Sequence, residues 1–227
     1  MKSLRNPVRA LTGLALLTPL FGSSLVVPAG LNPGDHYRIA FITSTARDYT
    51  SSDIADYNAF VNSAANASGS ILAPLGINWL AIASSETVSA HDNIGGNFSD
   101  PVYLSDGTLI AANAADLWDG NIDATIHITE TGTSDTHAQP WTATSSSGAI
   151  DFVRLDNVTV YPEVGNLDAT TSWIYSGFQI SPSDNLPLYG ISATELTVPS
   201  GTPEPETMFT FGAGLLLLVT QRHRFRR

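Results

Sequence analysis

The chain has 227 residues, no cysteine and a formal net charge of −11. A cysteine-free sequence excludes disulfide staples, tetrathiolate zinc and any thiol nucleophile, so stability must come from burial. Nineteen of the 21 acidic residues lie between positions 30 and 202, where Arg38, Arg47 and Arg154 are the only basic residues; this stretch carries −16, a field that repels nucleic acid and anionic polysaccharide and favours divalent cations or neutral partners.

The N-terminal end has the layout of a secretory signal. Lys2, Arg5 and Arg9 form a positive region, followed by an apolar stretch from Ala10 to Val27. Thr18-Pro19 and Gly22-Ser23-Ser24 interrupt that stretch and argue against a buried helix. Val27-Pro28-Ala29 offers small residues at the positions a signal peptidase reads. Residues 1–29 therefore read as a signal peptide cleaved after Ala29, with Ser23 and Ser24 as rival positions, and the chain as exported.

Residues 30–198 are enough for one core and not naturally two. Tyr37 to Ser44 alternates and is rich in β-formers, which predicts a first strand. A turn over 45–52 leads to a helix opened by Asp53, with Ile54, Tyr57, Val61, Ala64 and Ala65 on one face. The helix ends before Ser68-Gly69, and Pro74-Leu75-Gly76 leads into a strand over 77–82. A short helix or turn is expected over 86–93. Strands follow over 101–104 and 108–110, joined at Asp106-Gly107. Ala114 to Asp119 supports one or two helical turns closed by Gly120. Beyond this point the pattern becomes strand and loop, with strands predicted over 126–130, 141–144, 173–175 and 187–192, a turn over 145–148 and irregular chain over 154–170. The fold class is α+β, with helices early and many short strands threaded by long loops.

Residues 199–206 read as an extended linker containing Pro203-Glu204-Pro205. A hydrophobic segment over 207–220 follows, then a basic tail over 221–227 carrying Arg222, Arg224, Arg226 and Arg227. The apolar run is about thirteen residues, short of the ~20 that span a bilayer comfortably, which suits a processed tail better than a permanent helix. The positive-inside rule holds the arginines on the cytoplasmic side.

This order of motif, apolar segment and basic end resembles the PEP-CTERM sorting signal of Gram-negative bacteria that make extracellular polysaccharide. The resemblance implies transient anchoring in the inner membrane and recognition by an exosortase near Pro203-Glu204-Pro205, with this chain as its substrate. A plain C-terminal anchor and a short hydrophobic tail without a role are the alternatives.

The domain in turn resembles a C-type-lectin-like domain of the endostatin kind. The likeness rests on an ordered series: the strand 37–44 and its helix, Trp79 to Ser84, Pro101 to Ile110, Leu117-Trp118-Asp119-Gly120, Trp141, Trp173, and Leu188 to Ser192. It covers about residues 35–193. The ligand-binding parts of that fold do not carry over. Gln139-Pro140 is followed by Trp141 and Trp118-Asp119 by Gly120, so neither calcium-dependent sugar-binding motif is complete. The arginine-rich heparin-binding surface is missing, and only His36 matches the histidines of the endostatin zinc site.

Asp116, Asp119 and Asp123 form an oxygen-rich loop that could hold calcium; the competing reading is helix caps and turns. His91-Asp92-Asn93 and the pair His127 and His137 are further candidates, the latter as metal ligands across a hairpin. Trp79, Trp118, Trp141 and Trp173 are either core or a sugar-stacking platform. Asn66, Asn97 and Asn157 open glycosylation sequons. Neither Gly-x-Ser-x-Gly nor His-Glu-x-x-His occurs. The expected function is a non-enzymatic role in interaction or scaffolding at the cell envelope or in the extracellular matrix, with exopolysaccharide or another envelope protein as partner and no resident cofactor. The alternatives are a carbohydrate-binding module for neutral exopolysaccharide and a secreted hydrolase.

Overall fold

The computed structural model describes residues 25–135, 139–151 and 161–200. Seven residues rich in β-formers make β1 (His36–Ile42), and every one after His36 is buried. Such a run cannot face water on either side, so both faces of its sheet must be covered. Tyr37, Ile39 and Phe41 point into one apolar cluster, Ala40 and Ile42 into the other.

The remaining strands are short: β2 (Trp79–Ala81), β3 (Val102–Tyr103), β4 (Leu109–Ala111), β5 (Tyr189–Ser192) and β6 (Leu196–Thr197). Sheet order is β2-β5-β1-β3-β4, with β6 on the first residues of β1. Among these strands of the described residues, the β1–β3 pair is parallel and the other pairs are antiparallel. His36 lies opposite Thr197, Gly34 donates to the Val198 carbonyl at 3.0 Å, and Val198 donates to the Asp35 carbonyl at 2.9 Å. The chain therefore enters β1 beside the point where it leaves β6.

Helix α1 (Ile54–Ala65) covers one face. Asp53 caps it, its carboxylate accepting from the Ala55 amide at 2.9 Å. Tyr57, Val61 and Ala65, four residues apart, are buried on the sheet side. Gly190 in β5 makes that contact possible, because a Cβ there would sit 2.5 Å from Phe41 Cε1 and 2.6 Å from Val61 Cγ1. The opposite face is covered by α2 (Ala90–Asn93), α3 (Ala114–Leu117) and irregular chain carrying Ile122, Ile126, Leu167 and Trp173.

The free edge of β2 is closed by amide side chains. Its outward backbone groups would otherwise lack partners. Trp79 N–H donates to Asn62 Oδ1 at 3.1 Å and Ala81 N–H to Asn58 Oδ1 at 2.8 Å, both from α1. Asn93 of α2 donates to the Ala81 carbonyl at 2.7 Å. Asn58 and Asn93 also bond to each other reciprocally, at 2.8 and 2.9 Å.

The α+β class and the early elements agree with the sequence reading. The strand expected over 126–130 is reduced to isolated bridges, Thr129 with Ile42 and Ile128 with Ser134. Residues 173–175 form no strand; Trp173 and Ile174 are adjacent yet both buried, so that apolar run marks core contact and not pleating. β6 was not expected, two residues being too short to show a period. The sorting motif Pro203-Glu204-Pro205, the basic residues Arg222, Arg224, Arg226 and Arg227, His137 and Asn157 lie outside the described residues, and of the irregular stretch expected over 154–170 the described part begins at Tyr161.

Candidate functional site

The loop singled out for its aspartates is organised by α3. Asn113 caps that helix by accepting from Asp116 N–H at 3.1 Å. The Asp116 carboxylate turns back to accept from the Ala112 amide at 2.6 Å, and Asp119 accepts from the Asn121 amide at 2.9 Å. Asp123 donates its own amide to the Ile110 carbonyl, tying the loop to β4. The three aspartates are not gathered into a ligand set: among the described residues no group of three or more His, Asp or Glu could hold a metal ion.

Trp118 follows α3 and is 9% exposed. It stacks on Trp173 at 6.1 Å with 29° between the rings, and Trp173 meets Tyr189 of β5 at 5.7 Å. Gly148, at φ +78°, closes over its ring, and a Cβ there would lie 2.8 Å from Trp118 Cδ2. Trp79, Trp141 and Trp173 are fully buried. Trp141 belongs to a second aromatic row with Tyr49 and Tyr57, at 5.3 and 4.3 Å, and its N–H donates to the Arg47 carbonyl at 2.9 Å. The tryptophans are thus core residues, and none presents an open face to a sugar.

The described histidine candidates, His91 and His127, are engaged by near neighbours in sequence. His91 Nδ1 lies 3.2 Å from the Asp92 carboxylate, which is itself held below the usual carboxylate range by the Ser89 hydroxyl and by His91. Asn93 is committed to the β2 edge. His127 Nδ1 faces the carbonyl and hydroxyl of Thr125, at 2.9 and 3.2 Å.

A feature that the sequence did not announce is the irregular ribbon formed by residues 161–164 and 176–180. Val164 donates to the Phe178 carbonyl, Ser176 to the Val164 carbonyl and Ile180 to the Pro162 carbonyl. The buried Glu163 accepts from the Gly177 amide and the Ser176 hydroxyl. Burial, aided by the nearby Asp151 charge, pushes its carboxyl above the ordinary value, against the pull of those hydrogen bonds. Its main chain accepts from Ala143 at 2.9 Å, and Ala143 holds a left-handed φ of 47° although it is not glycine.

The same ribbon and its flank carry aromatic side chains in solvent: Tyr161 at 43%, Tyr175 at 44% and Phe178 at 63% exposure. The signal available in the sequence was an unpaired aromatic among Gly, Ser and Pro, without the periodic companions that a core residue has. What the arrangement offers chemically is a hydrogen-bonded ribbon with a sheltered carboxyl beneath and aromatic faces outside.

No protein-family model matches the chain, and no curated protein matches it.

Proposed function

We propose that the chain is an exported protein of the cell envelope or extracellular matrix, sorted by an exosortase through its C-terminal end, whose single C-type-lectin-like, endostatin-like domain serves interaction or scaffolding without chemistry of its own. The observation that carries the reading is the order of Pro203-Glu204-Pro205, apolar segment and arginine-rich end, opposite a secretory N-terminus. Two structural features support it. The domain closes at Val198, just ahead of the linker, where its last strand is held against the start of β1, so the linker departs from a fixed point of the fold. The residues that carry the lectin-like resemblance, Trp79, Trp118, Trp141, Trp173 and Leu188 to Ser192, are core residues. Mass spectrometry of envelope and medium tests the sorting step: mature protein should lack residues beyond about 206. Recovery of most of the protein with Arg227 intact would overturn it.

A second reading, binding of neutral exopolysaccharide, is favoured by the exposed Tyr161, Tyr175 and Phe178, aromatic faces being suited to sugar rings. A glycan array separates the two, with Phe178→Ala removing any signal that depends on this surface.

A further inference from the structure

We propose that the signal peptide is removed at the Ser24–Leu25 bond and not after Ala29, so that residues 25–29 are the first segment of the mature domain. This rests on the export reading above and fixes its processing site. The segment is part of the fold. Leu25, together with Leu31, packs against the same core cluster as Tyr37, Phe41 and α1. Val26 N–H donates to the Ser105 carbonyl at 2.9 Å, and Pro28 is buried. Gly107, in the turn between β3 and β4, provides the floor on which the segment lies: a Cβ there would come within 3.5 Å of Val26 Cγ1 and 3.6 Å of the Pro28 Cα. Cleavage after Ala29 would delete the residues that cover this turn and leave the apolar surface beneath Leu25 and Pro28 in water.

The sequence supplies a suitable bond just upstream. Gly22 and Ser24 place small residues third and first before Leu25, in the Gly22-Ser23-Ser24 interruption of the apolar stretch. The step is hydrolysis by signal peptidase: water adds across the Ser24–Leu25 amide, its oxygen goes to the Ser24 carbonyl as a new carboxylate, and Leu25 leaves as a new amine.

The test exports the full chain from a host with signal peptidase and determines the N-terminus of the mature protein by terminal labelling and mass spectrometry. A chain beginning at Leu25 is expected. A chain beginning at Gly30 would overturn the inference while leaving export intact, whereas one beginning at Met1 would overturn both. Pro28→Asp adds an independent readout. With residues 25–29 retained, the exported variant carries a carboxylate at a buried position and melts several degrees lower. If the segment has been removed, the substitution goes with it, and an unchanged melting temperature would overturn the inference.

Discussion

Trp118 and Glu163 are both shielded from solvent, and they answer to different physics. Trp118 is held by shape, between the Trp173 ring and a glycine that leaves no room for a side chain. Trp118→Ala should cost about 3–5 kcal/mol, the range for deleting a large aromatic from a core; thermal melts within a degree of the parent would contradict its place in the packing. Glu163 is held by hydrogen bonds that suit a carboxylate, in surroundings that penalise its charge. Its folded-state pKa is raised, so below pH 4.5 both states hold the proton and the group costs nothing. As pH rises from there through the raised value, the unfolded chain releases its proton first, and stability falls. Glu163→Gln keeps an acceptor for Gly177 and Ser176 and removes the charge, so the variant should show a flatter stability profile over that window. A profile with the same slope as the parent would place the effect on another group. The sequence marked Trp118 as either a core aromatic or part of a sugar platform, and its burial decides for the core. It gave no sign that Glu163 was buried, because that depends on a ribbon whose two arms pair only in three dimensions.

Among the elements, legibility follows length. β1 and α1, at seven and twelve residues, are long enough for a two-residue and a 3.6-residue period to show, and Asp53 marks the helix start. Two- and three-residue strands carry no period at all, and they exist because β1 and β5 offer them backbone partners. The asparagine clamp was equally invisible, since Asn58, Asn62 and Asn93 look like solvent-facing amides until α1, α2 and the β2 edge are brought together. Removing either member of the reciprocal pair leaves part-buried backbone or amide groups without partners, which costs roughly 1–3 kcal/mol. Asn58→Ala and Asn93→Ala should each destabilise by that order, and the double variant by clearly less than their sum, because each single change already breaks the shared bonds. Strict additivity in a denaturation cycle would show that the amides act independently.

At the level of the whole molecule, charge is the dominant fact, and it was readable from composition. Arg38 pairs with Asp100 at 3.8 Å and Arg47 with Asp48 at 3.5 Å, which leaves most of the carboxylates to repel one another across the surface. Salt screens such repulsion, so raising sodium chloride from low to physiological strength should raise the melting temperature modestly. At matched ionic strength, calcium, magnesium and chelator should give the same melting curve. A calcium-specific rise abolished by Asp119→Asn would instead point to an oxygen-ligand site in the α3 loop. The proposed targeting ends rest on signals that are linear in sequence, whereas an exposed aromatic surface is assembled from separate segments, as Tyr161, Tyr175 and Phe178 illustrate.

The amide-closed edge of β2 has a consequence for how the protein meets its own copies. An open strand edge is where identical chains begin to add to one another. Here the Trp79 and Ala81 N–H groups and the Ala81 carbonyl are already occupied by Asn62, Asn58 and Asn93. A neighbouring copy finds no template on that side, and crowding need not turn into fibre growth.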